Sequence, residues 1–208
     1  MKFREYSKRI RIKFQRVGFV ETVVLCSSII YKGFLSILAI FFFRARGYTI
    51  DYSVKLGDNI LFFQDVKNAI HIKKNSVIGS GVRLKALING KIVIGEDVAI
   101  DDNTNILSLY GISIGKGTLI AANVYIVDGD HTYPLASSRY LITSEQGYTG
   151  SPITIGSYVW IGANVVILKG VTIGDNTIIG AGSVVTKSIP ANSLAVGNPA
   201  RVLKKLKE

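Results

Sequence analysis

From residue 54 onward an aliphatic side chain recurs at every sixth position, first as Val54, Ile60, Val66, Ile72, Ile78 and Leu84. The series slips by four residues to Ile94, Ile100 and Ile106, then by two to Ile114, Ile120 and Ile126. After a long interruption it resumes as Ile155, Ile161, Ile167, Ile173, Ile179 and Val185. Glycine often follows the aliphatic residue, as at Gly79, Gly95, Gly115, Gly156, Gly162, Gly174 and Gly180. Small or β-branched residues (Val82, Val98, Val159, Val165, Val171, Thr177, Ser183) tend to stand four places after it. A period of six fits neither the 3.6-residue repeat of an amphipathic helix nor the two-residue alternation of a meandering sheet. It suits a parallel β-helix of hexads, each one short strand and one tight corner, with three hexads closing a triangular coil of about eighteen residues. Glycine is expected at the corners because it accepts positive φ without a Cβ clash. Extra residues must leave the prism at corners, as at Asn89-Gly90-Lys91 and Tyr110-Gly111. Six coils are expected, beginning at Val54, Ile72, Ile94, Ile114, Ile155 and Ile173. An ordinary β-sandwich with frequent glycine is the rival, and the unbroken series from Ile155 to Val185 speaks against it.

The first 47 residues do not share this pattern. Residues 1–16 are basic, and 17–43 are largely apolar, ending in Ile40-Phe41-Phe42-Phe43. A signal peptide is a poor match, because Glu21 and Lys32 interrupt the apolar part and Arg-Ala-Arg-Gly follows it instead of a small-residue cleavage site. A membrane span needs roughly 20 uninterrupted apolar residues, and Gly33–Phe43 is about half of that. Two short helices, broken near Lys32-Gly33, are expected. The chain then divides into a basic and apolar helical segment (1–47), a β-helix (48–196) with a looped-out insertion (129–153), and a C-terminal tail (197–208).

Charge sharpens this division. The whole chain carries +11. Residues 1–46 hold ten Lys/Arg against Glu5 and Glu21, so +8 of that total belongs to the N-terminal segment. The segment reads either as a helical cap on the β-helix or as an amphipathic anchor on an anionic membrane surface. The repeats themselves are close to neutral, and with no recognised motif a nucleic-acid module is excluded. Hydrophobic residues at 48% and charged ones at 19% exclude disorder. One cysteine, Cys26, permits no internal disulfide, and two histidines, His71 and His131, make a zinc site of the usual kind improbable.

Chemistry is expected where the repeat fails. The coil after Ile126 should begin near residue 132, yet it begins at Ile155, so about 23 residues are looped out. That loop opens with Val127-Asp-Gly-Asp-His-Thr-Tyr-Pro, which contains His131. His71, beside Ile72, reads as a surface or corner residue. The one Gly-x-Ser-x-Gly match, Gly111-Ile-Ser113-Ile-Gly115, lies within the six-residue series at Ile114 and not at a strand-to-helix turn, so it marks no nucleophile elbow.

The run Ile155-Gly-Ser-Tyr-Val-Trp-Ile-Gly-Ala-Asn-Val-Val-Ile-Leu-Lys-Gly-Val-Thr-Ile-Gly, with Gly180-Ala-Gly-Ser-Val-Val-Thr-Lys187 and Gly197-Asn-Pro-Ala-Arg201, resembles the hexapeptide-repeat acyltransferases. It is most similar to the bacterial sugar and lipopolysaccharide O-acetyltransferases, among them the maltose and galactoside enzymes. The resemblance covers residues 48–206 and is most specific over 153–204. It implies an all-β, left-handed parallel β-helix with a short N-terminal helical segment, a homotrimer, and acetyl-CoA as co-substrate in the cleft between neighbouring prisms, with no metal. The expected location, from the basic and apolar N-terminal segment and its poor match to a signal peptide, is the cytoplasm or the inner face of the cytoplasmic membrane.

Residue by residue, the resemblance puts the catalytic histidine at His131. Acyl transfer to a hydroxyl needs a base, and histidine is the usual choice. Asp130 or Asp128 would orient its ring. The pantetheine-contacting positions fall on Ala163 and Ala181, with Trp160 lining the arm. Thr186 and Lys187 would sit beside the nucleotide, and Arg201 and Lys204 would meet phosphates, for which guanidinium and ammonium are suited. The acceptor-binding asparagine of the family is Asp101 here, with Asn103 close by, and a further acidic position is Leu109. Tyr133 could stack on a sugar ring. The implied function is O-acetylation of a sugar in a cell-envelope polysaccharide or its lipid-linked precursor. The alternatives are a small soluble acceptor (sugar, amino sugar, serine or antibiotic) or a non-catalytic β-helix.

Overall fold

The computed structural model describes residues 19–132 and 147–206. Helix α1 (Phe19–Ala45) runs unbroken through Lys32-Gly33, which corrects the expected pair of short helices. A lone glycine costs a helix interior about 1 kcal/mol, too little to interrupt 27 residues of otherwise helix-compatible sequence. Tyr31, Phe34, Ile37, Leu38, Phe41 and Phe42 of this helix are exposed. No helix among the described residues is long and apolar enough to cross a membrane. From Ile40 on, the chain forms one compact unit that includes all the coils. Within it Phe43 packs on Tyr48 and Phe62, with ring centroids 5.3 and 4.8 Å away, and the Tyr48 hydroxyl donates to the Phe62 carbonyl at 2.8 Å.

Three parallel sheets form the faces of a β-solenoid. On the first face Ile50, Ile72, Ile94, Ile114, Ile155 and Ile173 stand in register, one per coil. The second face stacks Leu56, Ile78, Ile100, Ile120, Ile161 and Ile179. The third stacks Phe62, Leu84, Ile106, Ile126, Ile167 and Val185. Nearly all of these side chains are buried in one continuous core, each fully buried one contributing about 1.5–3 kcal/mol of transfer free energy.

The first coil therefore begins at Ile50, four residues before the expected Val54. Val54 is buried too, but in the role of Val82 and Val98, four places after the aliphatic residue. Both positions face the core, so one coil on its own admits two phases, and only the ladder register chooses between them.

Glycine takes the left-handed corner as expected at Gly81, Gly117, Gly170 and Gly182, with φ between 67° and 74°. The left-handed residue of a tight corner stands three places after the aliphatic one and is otherwise mostly asparagine: Asn59, Asn75, Asn103, Asn123, Asn164 and Asn176 all have φ between 53° and 60°. The glycines directly after the aliphatic residue are needed for stacking instead. A Cβ on Gly162 would lie 2.6 Å from the Ala181 amide nitrogen, and one on Gly57 would lie 2.6 Å from the Gly79 carbonyl carbon. The buried hydroxyls then link coil to coil: Ser76 donates to the Gly95 carbonyl and Thr118 to that of Gly156, both at 2.8 Å.

Candidate active site

Every departure from the eighteen-residue coil leaves from one corner, between the third face and the first. Coil-to-coil register steps are 22 residues (Ile72 to Ile94), 20 (Ile94 to Ile114), 41 (Ile114 to Ile155) and 18 (Ile155 to Ile173). The largest excursion follows Asp128, whose buried carboxylate is surrounded by donors. It accepts from the Ser108 hydroxyl (2.8 Å) and from the amides of Leu109 (2.6 Å), Tyr110 (3.0 Å) and Gly111 (2.6 Å). Its carbonyl accepts the Ser151 amide at 3.0 Å, so one residue holds the corner beneath and the returning strand.

Between these anchors Gly129–His131 pairs antiparallel with Tyr148–Gly150, His131 opposite Tyr148. Gly129 and Gly150 face each other at the base of this ribbon, and the backbone approach makes glycine necessary at Gly150. A Cβ on Gly129 would meet Leu109 at 2.7 Å, and one on Gly150 would collide with the Asp128 carbonyl and meet Tyr110 at 2.6 Å. The exposed His131 ring packs against Tyr148 with centroids 4.7 Å apart, and the Tyr110 hydroxyl donates to the Tyr148 carbonyl at 3.0 Å.

Neither expected carboxylate makes a hydrogen bond or ion pair with His131 among the described residues. Asp128 faces its four donors, and Asp130 pairs with Lys169 at 2.9 Å. No motif in the sequence singles out Lys169. Its signal was nonetheless present, because Ile126 and Ile167 are register partners, which puts Lys169 at the same corner one coil on. His71 lies on the first face with Nε2 2.7 Å from the Asn68 carbonyl.

Topology distributes the other candidates over two edges. Asp101, Asn103, Ala163 and Ala181 occupy the corner between the second and third faces. There the Gly182 amide donates to the Ala163 carbonyl at 2.8 Å, which aligns the two alanines one coil apart. Trp160, 51% exposed, opens a second-face strand (Trp160–Ile161) beside them. Arg201 and Lys204 extend the same face, on a strand (Arg201–Lys205) that pairs antiparallel with Ser193–Val196. Small residues, an exposed indole and two exposed cations fit a slender, phosphate-bearing arm such as that of CoA. Thr186 and Lys187 instead share the edge with Asp130 and His131, across the third face. Leu109 is buried beneath that edge. Tyr133 lies outside the described residues. No cluster of three or more His, Cys, Asp or Glu side chains among the described residues could hold a metal.

Family models agree with this architecture: "bacterial transferase hexapeptide (six repeats)" over residues 152–187, and "hexapeptide repeat of succinyl-transferase" over 91–127. The Escherichia coli K12 protein WbbJ, named for lipopolysaccharide biosynthesis O-acetyl transfer, is 36% identical over 142 residues, which is 66% of this chain and 72% of WbbJ. The chain belongs to the hexapeptide-repeat acyltransferase family. A second member, the galactoside O-acetyltransferase of Escherichia coli K12, is 42% identical over 117 residues, 56% of this chain. The alignment spans only 55% of that longer protein. Among solved acyltransferases, the N-acyltransferase AntD of Bacillus cereus superposes with a TM-score of 0.68 at 21% identity, over 80% of this chain and 88% of AntD. Its crystal structure holds dTDP-4-amino-4,6-dideoxyglucose and coenzyme A. At that identity the likeness bears on the fold alone.

Proposed function

We propose that this hexapeptide-repeat acyltransferase moves an acetyl group from acetyl-CoA to a sugar hydroxyl of a cell-envelope polysaccharide or its lipid-linked precursor, with His131 as the general base. The observation that carries this reading is the exposed imidazole on a ribbon pinned at the one large break of the repeat. His131 takes the hydroxyl proton as the oxygen attacks the thioester carbonyl. The tetrahedral intermediate then expels the CoA thiolate, which recovers the proton from the imidazolium. Backbone amides at the edge would stabilise the oxyanion. Asp130, on the residue before His131, ties the ribbon to the next coil through Lys169 at 2.9 Å.

The candidates occupy opposite edges of one prism, separated by a four-residue strand (Asn105–Ser108), about 13 Å at 3.3 Å per residue. A neighbouring copy that brings its second-third edge against this chain's third-first edge would assemble them, and a homotrimer closes that arrangement. The exposed apolar side chains of helix α1, within a segment carrying +8, suit peripheral contact with an anionic bilayer.

The decisive experiment is His131→Ala with acetyl-CoA and a polysaccharide acceptor. kcat should fall about 100- to 10,000-fold, and a near wild-type rate would remove His131 from the mechanism. For the membrane, Phe34, Leu38 and Phe41 changed together to Ser should release the protein from phosphatidylglycerol vesicles; unaltered binding counts against the contact.

A further inference from the structure

The outward side of the third face changes character along the solenoid. It presents Leu61 and Phe63 in the first coil, Arg83, Lys85, Asn105, Leu107 and Tyr125 in the middle coils, and Val166, Leu168 and Val184 in the late ones. Arg83, Asn105 and Tyr125 stand in one register column, Lys85 and Leu107 in the next. With Leu87 they line a cavity of about 190 Å³. Arg83 and Lys85 are two residues apart on one strand (Arg83–Ala86), so their side chains leave the same face about 7 Å from each other.

Neither cation has an ion-pair partner among the described residues; the pairs formed there are Lys74–Glu96, Lys116–Asp97 and Lys169–Asp130. Acidic side chains at the flanking corners are engaged elsewhere. Asp65 accepts the Ile88 amide (2.7 Å), Asp102 the Ser80 amide (2.7 Å) and Asp101 the Asp102 amide (2.9 Å). Two uncompensated cations beside an exposed phenol ring and a carboxamide make a site for an anion attached to a hydroxyl-rich ring. The guanidinium offers a paired-donor fork, the ammonium a point charge, and Tyr125 a flat apolar surface. The cavity is smaller than the roughly 300–1,000 Å³ of a pocket that engulfs a whole ligand. It is suited to one charged unit of a longer molecule lying across the face.

We propose that this cavity seats a carboxylate or phosphate of the acceptor glycan, so that Arg83 and Lys85 select acidic acceptors over neutral ones. The inference rests on the acyl-transfer reading in one respect, that the bound anion belongs to the acceptor. The position agrees: the third face lies between the edge with Asp101 and Asn103 and the edge that His131 leaves. A glycan anchored midway would reach toward either.

The test is calorimetric titration of the full chain with methyl galacturonide, methyl galactoside 6-phosphate and neutral methyl galactoside. At least one charged glycoside should bind about 10- to 100-fold tighter than the neutral one, and which one does so tells carboxylate from phosphate. The pair Arg83→Gln with Lys85→Gln should erase that preference. Lys55→Gln, an exposed cation on the second face, should leave it intact. Equal affinity for all three ligands, or binding of none, overturns the proposal, as does a preference that survives the double substitution. A double variant that instead loses CoA affinity, or changes oligomeric state in size-exclusion light scattering, would assign the cations to the donor or to a subunit interface and equally overturn it. Charge-selective binding without any acetyl transfer by the wild type would sink the acyl-transfer reading while supporting the anion site, so the two failures are distinct.

Discussion

Asp128 and Asp130 stand two residues apart at the same break, yet replacing each with alanine should have very different consequences. The Asp128 carboxylate is buried and accepts four hydrogen bonds of 2.6–3.0 Å. When it is removed, the Ser108 hydroxyl can turn fully to the Lys91 carbonyl, already 3.1 Å away. The amides of Leu109, Tyr110 and Gly111 have no second acceptor among the described residues. A buried donor left unmatched costs about 1–3 kcal/mol, and water entering the vacated space restores part of that for the partly exposed Tyr110 and Gly111. The net destabilisation is then about 3–5 kcal/mol. At roughly 2–4 °C per kcal/mol for a chain of this size, Tm should fall by about 6–20 °C. Asp130, paired with Lys169 in the open, is worth at most about 1 kcal/mol, so Asp130→Ala should lower Tm by no more than about 4 °C. Asp128→Asn keeps one acceptor oxygen and should fall between them. Differential scanning calorimetry of the three variants decides the matter. Equal shifts for Asp128→Ala and Asp130→Ala, or a shift below about 2 °C for Asp128→Ala, would refute the pinning role.

Three further outcomes follow from the packing and the titration of particular groups. Gly162→Ala puts a Cβ 2.6 Å from the Ala181 amide nitrogen; it should cost about 1–3 kcal/mol in urea unfolding and raise KM for acetyl-CoA, because both residues border the proposed arm site. Ile161→Ala, in the middle of the buried column on the second face, should cost about 2–5 kcal/mol by the same measurement. Burial raises the Tyr48 hydroxyl above its ordinary pKa, against a smaller lowering pull from Arg46. The unfolded chain therefore ionises first: the stabilisation is complete below about pH 10 and is lost as pH climbs through the higher folded value. Tyr48→Phe should remove that alkaline loss, and unfolding curves from pH 8 to 11.5 that stay parallel to wild type would contradict it.

The solenoid was legible because its core is periodic. An Ile or Val every sixth residue from Ile155 to Val185 is a one-dimensional imprint of three faces, and no packing detail is needed to read it. The position of the large break was legible for the same reason, since an interruption stands out against a repeat. The helical path through Gly33 was misread because a glycine's cost is small against a whole helix. The phase of the first coil was beyond a local reading, since Val54 and Ile50 both face inward and only pairing with Ile72 selects Ile50.

What the amino-acid order determined on its own is the repeat, its break and the histidine in the break. Three-dimensional stacking decided the partners, because it brings together residues about twenty or forty positions apart. Asp128 meets the amides of residues 109–111, Asp130 meets Lys169, and Arg83 and Lys85 join Asn105 and Tyr125 around a cavity. Stacking likewise made glycine necessary at positions such as Gly57 and Gly162, where the next coil leaves no room for a Cβ, while asparagine and glycine share the left-handed corners. It also divided the candidate site between two edges of the prism. A linear sequence carries the spacing of such residues, but which edge each one occupies is fixed only when the coils close.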